Sequence, residues 1–376
     1  MVPAPGRVGF VAKDPWNPAI RREHHIAGQL VGRGSLIDFV QAPADAGRLR
    51  TDPANWLRHL GRARYLPAAP GVRVTERSTV LPGSRSRSAE RLDSALLRAF
   101  LHRSGWEQDL TVVMLPWDWR GARGPGGRMV FDCTDDWARL LPHARGLAEQ
   151  YRRIADEADA IVVVNPALAA LFPGRRCGVV PNGTDETLLR APRTTTPAPR
   201  SAVYVGSIAE RFDVDLVRDV LRALPDWTLT VHGSMVFPPG SRRAAGRFLA
   251  LQEETGGRFA YRGPLARGDL PAVLDAATVA LVPDVADRAL GQSSMKLFDY
   301  CSRGLPVIAS TGHLEVSGDV PPHTYLTAGP AEMAAAMVAA AEEPEGWPRE
   351  RIAWAAARTW DRRTDEFLAA SLGTAG

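Results

Sequence analysis

Lysine is nearly absent from this chain of 376 residues. Of its 46 basic residues only Lys13 and Lys296 are lysines; the others are all arginine. Codon usage in a GC-rich genome produces such a bias, and it singles out the two lysines that remain. Cysteine is scarce as well: Cys133, Cys177 and Cys301 fit neither a disulfide framework nor a zinc site. A reducing, cytoplasmic setting is the expectation. No apolar run approaches the ~20 residues that a membrane span needs, and the first residues lack the basic-then-apolar pattern of a signal peptide. His102, His143, His232, His313 and His323 show no metal-ligand spacing, so no metal is expected. The net charge is only +4. The arginine-rich stretches 62–77 and 85–91 are broken by Pro, Gly and Ser and read as solvated loops, so nucleic acid is not an expected partner.

Apolar β-runs do alternate with amphipathic stretches from end to end, the mark of βαβ units on parallel sheets. In the first half the predicted strands are 8–12, 36–40, 72–75, 111–115, 129–132, 160–164 and 178–180. Helices are predicted over 21–31, 92–102, 137–157 and 166–172. The segment RAPRTTTPAPR, 190–200, has linker composition. A second series follows: strands at 202–205, 228–232, 259–262, 280–283 and 306–309, with helices at 214–224, 242–254 and 270–276. Because single cores rarely grow past ~250–300 residues, two domains are expected. We place them at 1–185 and 201–345, joined by a linker over 186–200, with a helical tail over 346–376.

The densest chemistry lies in LVPDVADRALGQSSMKLFDYCSRGLPVIAS, 281–310. It reads as a strand, a polar loop, a short helix and another strand. Ser293, Ser294 and Met295 lead into the helix, where backbone N–H groups lack intrahelical partners and favour an anion. Lys296 stands in the first turn, disfavoured by the helix dipole unless an anion offsets it. Asp299 lies three positions on, on the same face. An anion cradle, a lysine and a nearby carboxylate suit a nucleoside diphosphate, with the phosphates on the helix and a ribose on the acid. Other motifs are weaker alone: VVPNGTD (179–185), YVGSIAERF (204–212), FAYRGPL (259–265), and in the first half AKDPWNP (12–18), LPWDW (115–119) and FDCTDDW (131–137).

Their order and spacing resemble the retaining GT-B fold nucleotide-sugar glycosyltransferases, the class that includes sucrose and glycogen synthases, in its bacterial branch. The resemblance runs through most of the chain and is strongest over 179–310. It implies an α/β protein of two Rossmann-like domains facing across a cleft, with the C-terminal helix crossing back to the acceptor-side first domain. It also implies transfer of a sugar, with retention and without metal, from a UDP or GDP sugar to a small-molecule (natural-product) or cell-envelope acceptor. Gly206 and Ser207 would line the phosphates and Arg211 would pair with the diphosphate. Arg262, Gly263 and Leu265 would flank the base; Ser293 to Lys296 would hold the phosphates and Asp299 the ribose. Where the family often has Glu-x7-Glu, this chain has Gly291 and Asp299, so the acid that positions the donor sugar is missing. Lys13, Asp14, Trp16 and Trp117 are the acceptor-side candidates; Asp118 and Asp135 are the candidate bases should one be required. A nucleotide-sugar epimerase or a non-catalytic sugar-nucleotide-binding subunit are the alternatives, and a homo-oligomer is compatible with either.

Overall fold

The computed structural model describes residues 3–16, 20–42, 54, 64–66, 68–77, 79, 84, 86–124, 126–141, 144–237, 241–285, 294–311 and 319–373. The chain divides into two compact units, Met1–Pro181 with Asp361–Gly376, and Asn182–Trp360.

The first unit is built on a sheet of β1 (Arg7–Val11), β2 (Leu36–Val40), β3 (Arg64–Leu66), β4 (Val72–Glu76), β5 (Leu110–Val113), β6 (Arg128–Cys133), β7 (Ala160–Val163) and β8 (Gly178–Val179). Their order is β3-β4-β2-β1-β5-β6-β7-β8, and every pairing is parallel except that of β3 with β4. Strands such as Leu110–Val113 are buried along their whole length, as a parallel sheet covered on both faces requires. The chain moves from β1 to one side through β2 and then returns to the other side at β5. The crevice at the carboxyl ends of β1 and β5 is therefore the topological switch point, where open α/β sheets bind ligands.

The second unit repeats the logic. Its strands are β9 (Ser201–Val205), β10 (Thr228–His232), β11 (Phe259–Tyr261), β12 (Val279–Val282), β13 (Val307–Ser310) and β14 (Tyr325–Thr327). They run in the order β11-β10-β9-β12-β13-β14, all parallel. Its switch point lies between β9 and β12. One face of the sheet packs Phe212, Phe248, Phe259 and Met337; the other packs Leu274, Leu297, Tyr300 and Ala355.

Three readings of the sequence change. The helix expected over 137–157 is two: a turn over Trp137–Leu140, capped by the Asp136 carboxylate, and a helix over Leu147–Glu157 that starts after Gly146 at φ 83°. Gly146 is the breaker among the described residues of that stretch. The expected linker opens with a helix, Glu186–Arg190, whose N-cap is Asp185. The tail is two helices, Trp347–Ala356 and Trp360–Leu372. Trp354 of the former stacks on Phe298 in the second unit. The latter docks on the first unit: Arg33 bonds Asp365 at 2.7 Å, and Arg128 Nε donates to the Ser371 carbonyl at 3.1 Å.

That docking depends on a bare backbone in β8. A Cβ built at Gly178 would lie 2.5 Å from the Ala370 Cβ, so Gly178→Ala should lower stability by about 1–3 kcal/mol, the usual cost of overpacking. Adding Ala370→Gly should recover most of the loss. Urea denaturation of the single and double variants measures both; a neutral Gly178→Ala would show that this helix is not held there.

Candidate functional site

At the second unit's switch point, β9 ends in Gly206 and Ser207. Gly206 N donates to His232 O at 2.9 Å, so the turn is tied to the end of β10. A Cβ at Gly206 would stand 2.6 Å from Lys296 Cε. The lysine stem thus lies directly against this backbone, and Lys296 Nζ sits 5.2 Å from the centroid of the Tyr204 ring, a cation–π placement. Tyr204 is fully buried and its hydroxyl donates to Ser207 O at 3.0 Å, fixing the same turn from below. Gly233, at φ 143°, is equally constrained: a Cβ there would meet Gly206 O at 1.9 Å. Two strand ends and one helix thereby close around one polar turn.

Lys296 belongs to the helix Met295–Ser302, whose N-cap Ser294 makes no side-chain capping bond and whose buried Oγ has no hydrogen-bond partner among the described residues. Ser293 and Gly291 lie outside the described residues. From the β9 side comes Arg211, whose Nε is 4.0 Å from Asp284 Oδ1 just after β12. The backbones meet as well: Phe212 pairs with Asp284 in an antiparallel bridge, and Val285 N donates to Arg211 O at 2.7 Å. The structure sets Lys296 against Gly206 and Tyr204, with Ser207 in the same turn, and Arg211 bonds the side chain of that same Tyr204.

One turn along that helix, Asp299 faces Arg267 and Asp185. Burial pushes its carboxyl up to about 7, with Arg267 pulling it down and Asp185 pushing it further up. Arg267 Nε donates to Asp185 Oδ2 at 2.8 Å, and Asp185 Oδ1 also takes the Thr187 N–H and hydroxyl. Burial opposes ionisation of Asp185, but Arg267 and the Thr187 bonds prevail and hold its carboxyl below the usual range. Sequence reasoning missed this pair, although Asp185 ends the PNGTD motif and Arg267 follows FAYRGPL by two residues. Of the residues expected at the base, Arg262 is exposed, Gly263 has φ 76°, and Leu265 packs partly on the core. The only Asp-x-Asp of this unit, Asp213 to Asp215, is engaged: Asp213 caps a helix, and Asp215 pairs with Arg218 and Arg247.

In the first unit a second charged cluster sits at the ends of β1 and β6. Lys13 Nζ bonds Asp135 Oδ2 at 2.6 Å, and Thr134 Oγ1 donates to the same oxygen at 2.8 Å. Burial alone would lower the Lys13 ammonium, yet Asp135, Glu23 and Asp14 hold it well above its ordinary value. Arg22 makes a fork to Asp132, at 2.9 and 3.2 Å, and reaches Pro181 O. Glu23, unnoticed in the sequence, is fully buried with both oxygens lacking a hydrogen-bond partner among the described residues. Burial, reinforced by Asp14 and opposed by Lys13, pushes it up to about 7. Asp14 is partly exposed beside this cluster. Trp16 packs on Phe39 at 4.9 Å and His24 at 5.1 Å.

Two candidates are corrected. Asp118 is 1% exposed and bonded to Arg77, which also holds Asp93 at 2.9 Å. Burial, opposed by Arg77, pushes it up to about 6. Through Arg77 it ties the turn after β5 to the segment after β4 and to the helix Arg87–Arg103, a buried strut rather than an open base. Trp117 is buried and packs edge-on against Trp137 at 5.2 Å, a core contact rather than an open stacking face.

No family model and no curated protein matches the chain. Solved structures match over nearly its whole length. A sucrose-phosphate synthase from Thermosynechococcus elongatus superposes with a TM-score of 0.73 at 15% identity, covering 98% of this chain and 100% of the other. A trehalose-phosphate synthase from Burkholderia xenovorans, in complex with glucose-6-phosphate, gives 0.68 at 14%, covering 96% and 99%. HepE from Anabaena, in complex with UDP-glucose, gives 0.66 at 14%, covering 98% and 99%. The chain has the GT-B fold, two Rossmann-like domains each on its own parallel sheet.

The raised carboxyl of Asp299 makes a pH prediction. Its folded pKa lies above the ordinary aspartate value, so the native state binds more protons than the unfolded one between about pH 4 and 7. Its contribution to stability therefore falls as pH rises through that window. Asp299→Asn should gain stability over the parent from pH 4 to 7 and keep a constant advantage above it. Melting temperatures of both proteins across that range test this; parallel curves would place Asp299 in an ordinary solvated environment.

Proposed function

We propose that this chain is a glycosyltransferase that moves a sugar from a nucleoside diphosphate sugar to a small-molecule or cell-envelope acceptor, with retention at the anomeric carbon. The observation that carries the reading is the convergence of Gly206, Ser207, Arg211 and Lys296 at the switch point of the second sheet, with Asp299 one helical turn away. Two cations and a bare backbone turn suit a diphosphate, and a carboxylate at this separation suits a ribose. Fixed cations aimed at the charge that develops on a leaving group are often the largest catalytic contribution. Arg211 and Lys296 supply them from side chains, so transfer is proposed to need no metal. UDP and GDP are the proposed carriers, because Arg262, Gly263 and Leu265 can meet a base largely through backbone atoms. The complex of the Anabaena neighbour with UDP-glucose supports that class of donor.

On the acceptor side, Lys13 with Asp135 and Asp14 at the ends of β1 and β6 is the proposed contact surface, with Trp16 beside it. A phosphate oxygen of the leaving group can take the acceptor proton, so no protein base is assigned; Asp135 is already committed to Lys13 and Thr134.

Nucleotide binding tests the reading most directly. At 100 times Kd a ligand stabilises its protein by about 2.7 kcal/mol, so the correct nucleoside diphosphate should raise the melting temperature and the others should not. Lys296→Ala removes a charge-assisted contact of about 1.5–3 kcal/mol, or roughly 10–150-fold in donor affinity. Because its stem is buried against Gly206 and Tyr204, some loss of fold stability should accompany it. Lys296→Arg should recover only part of the affinity, a planar fork being unable to fill the path of a slender ammonium stem. Calorimetric titration of both variants that matched the parent would remove Lys296 from the site.

The metal proposal stands or falls separately. Transfer, followed by release of the nucleoside diphosphate, should proceed at an unchanged rate in excess EDTA. Activity that is lost on chelation and restored by magnesium or manganese would assign the phosphate charge to a metal instead.

A further inference from the structure

Asp284 stands just beyond the end of β12, beside the proposed phosphate site, and the transfer reaction described above gives it no part. Its side chain is 1% exposed, and both carboxylate oxygens lack a hydrogen-bond partner among the described residues. A buried carboxylate without hydrogen bonds costs free energy, so its retention beside a phosphate site calls for a reason. The described cation paired with it is Arg211, at 4.0 Å. Asp284 therefore acts on Arg211 through charge, without the directional bonds that would orient the guanidinium.

We propose that Asp284 is a counter-charge that weakens retention of the nucleoside diphosphate product at Arg211 and Lys296; this rests on the donor-site reading above. In the transfer, the bond between the anomeric carbon and the diphosphate oxygen breaks and the oxygen keeps the electron pair. The acceptor hydroxyl oxygen forms the new bond to that carbon, and its proton passes to the diphosphate and on to solvent. The donor enters with two negative charges on its diphosphate. The product leaves with close to three, since a terminal phosphate has its second pKa at about 6. A fixed carboxylate near Arg211 repels the more charged product more strongly than the donor. With the two cations alone, the product would be the better ligand and would occupy the site after each turnover. Asp284 is thus a positioning residue for charge, acting through Arg211, and no contact with substrate is assigned to it.

Calorimetric titration of UDP and UDP-glucose, or of the pair carrying the parent's preferred base, tests the proposal on the parent, Asp284→Asn and Asp284→Ser. Asparagine keeps the shape and removes the charge. It should tighten the diphosphate about tenfold and the sugar donor distinctly less, with product inhibition rising in step. In an Arg211→Met background the same substitution should change diphosphate affinity much less, because the group it acts through is gone. A purely structural role would weaken both ligands alike. Diphosphate binding that is unchanged or weaker in both Asp284 variants, with parent-like melting, overturns the inference and leaves the donor site standing. So does a loss of donor affinity alone, which would make Asp284 a sugar contact. Failure of the parent to bind any of UDP, GDP or ADP removes the donor site, and the inference with it.

Discussion

The second unit depends on one close approach, that of the Lys296 stem to the backbone of Gly206. Any side chain at 206 would occupy the place of Lys296 Cε. The same turn is supported from below by the Tyr204 hydroxyl and from the side by Gly233, whose own missing Cβ leaves room for the Gly206 carbonyl. Two strand ends and a helix are thereby fixed relative to one another by the absence of atoms. A cation can be held at low exposure there because the flank it packs on is an aromatic face and a polar turn rather than hydrocarbon.

Charge burial elsewhere follows a different rule. Arg22 with Asp132, Arg77 with Asp93 and Asp118, Arg303 with Asp275, and Arg351 with Glu343 are all interior pairs, most with two or more bonds to the guanidinium. Breaking such a pair leaves an uncompensated buried charge and costs about 3–5 kcal/mol, although the intact pair adds little net stability. Their value here is geometric. Arg303 ties Asp275 to the carbonyls of Leu188 and Ala191, binding the helix after Asp185 to the ends of the helices Leu270–Asp275 and Met295–Ser302. Arg22 fixes the start of the helix Arg22–Gly32 to the end of β6. Glu23 and Asp284 are buried differently, each with both oxygens lacking a hydrogen-bond partner among the described residues.

Most strands and the donor-side residues were legible in the sequence because they obey local rules. Short runs rich in β-branched and aromatic residues between turn residues read as strands, and β2 and β10 fall where the pattern puts them. Gly206, Lys296 and Asp299 were named from motif order, and the structure places the Lys296 stem against Gly206. What escaped was set by tertiary pairing. Nothing near Asp118 announces that Arg77, 41 residues away, will neutralise it. Glu23 belongs to no motif, and its charged neighbours come from elsewhere in the chain, Lys13 and Asp14 after β1 and Asp132 on β6. The antiparallel edge strand β3 and the terminal strand β14 are three residues each, too short to show a period.

Why the two lysines escaped replacement by arginine follows from the space each occupies. Arginine is always available in this composition and is the better partner for a forked carboxylate contact. Lys13 instead meets a single oxygen, Asp135 Oδ2, that already accepts from Thr134. A contact to one oxygen suits a point-like ammonium as well as it suits a planar fork. Lys296 passes between Gly206 and the Tyr204 ring with its Cε at contact distance. A guanidinium is wider than an ammonium at that narrow point and would press on the glycine backbone. Both positions suit a thin stem and a compact charge with freely turning donors. In a chain whose composition otherwise favours arginine, that steric requirement accounts for the two lysines that remain.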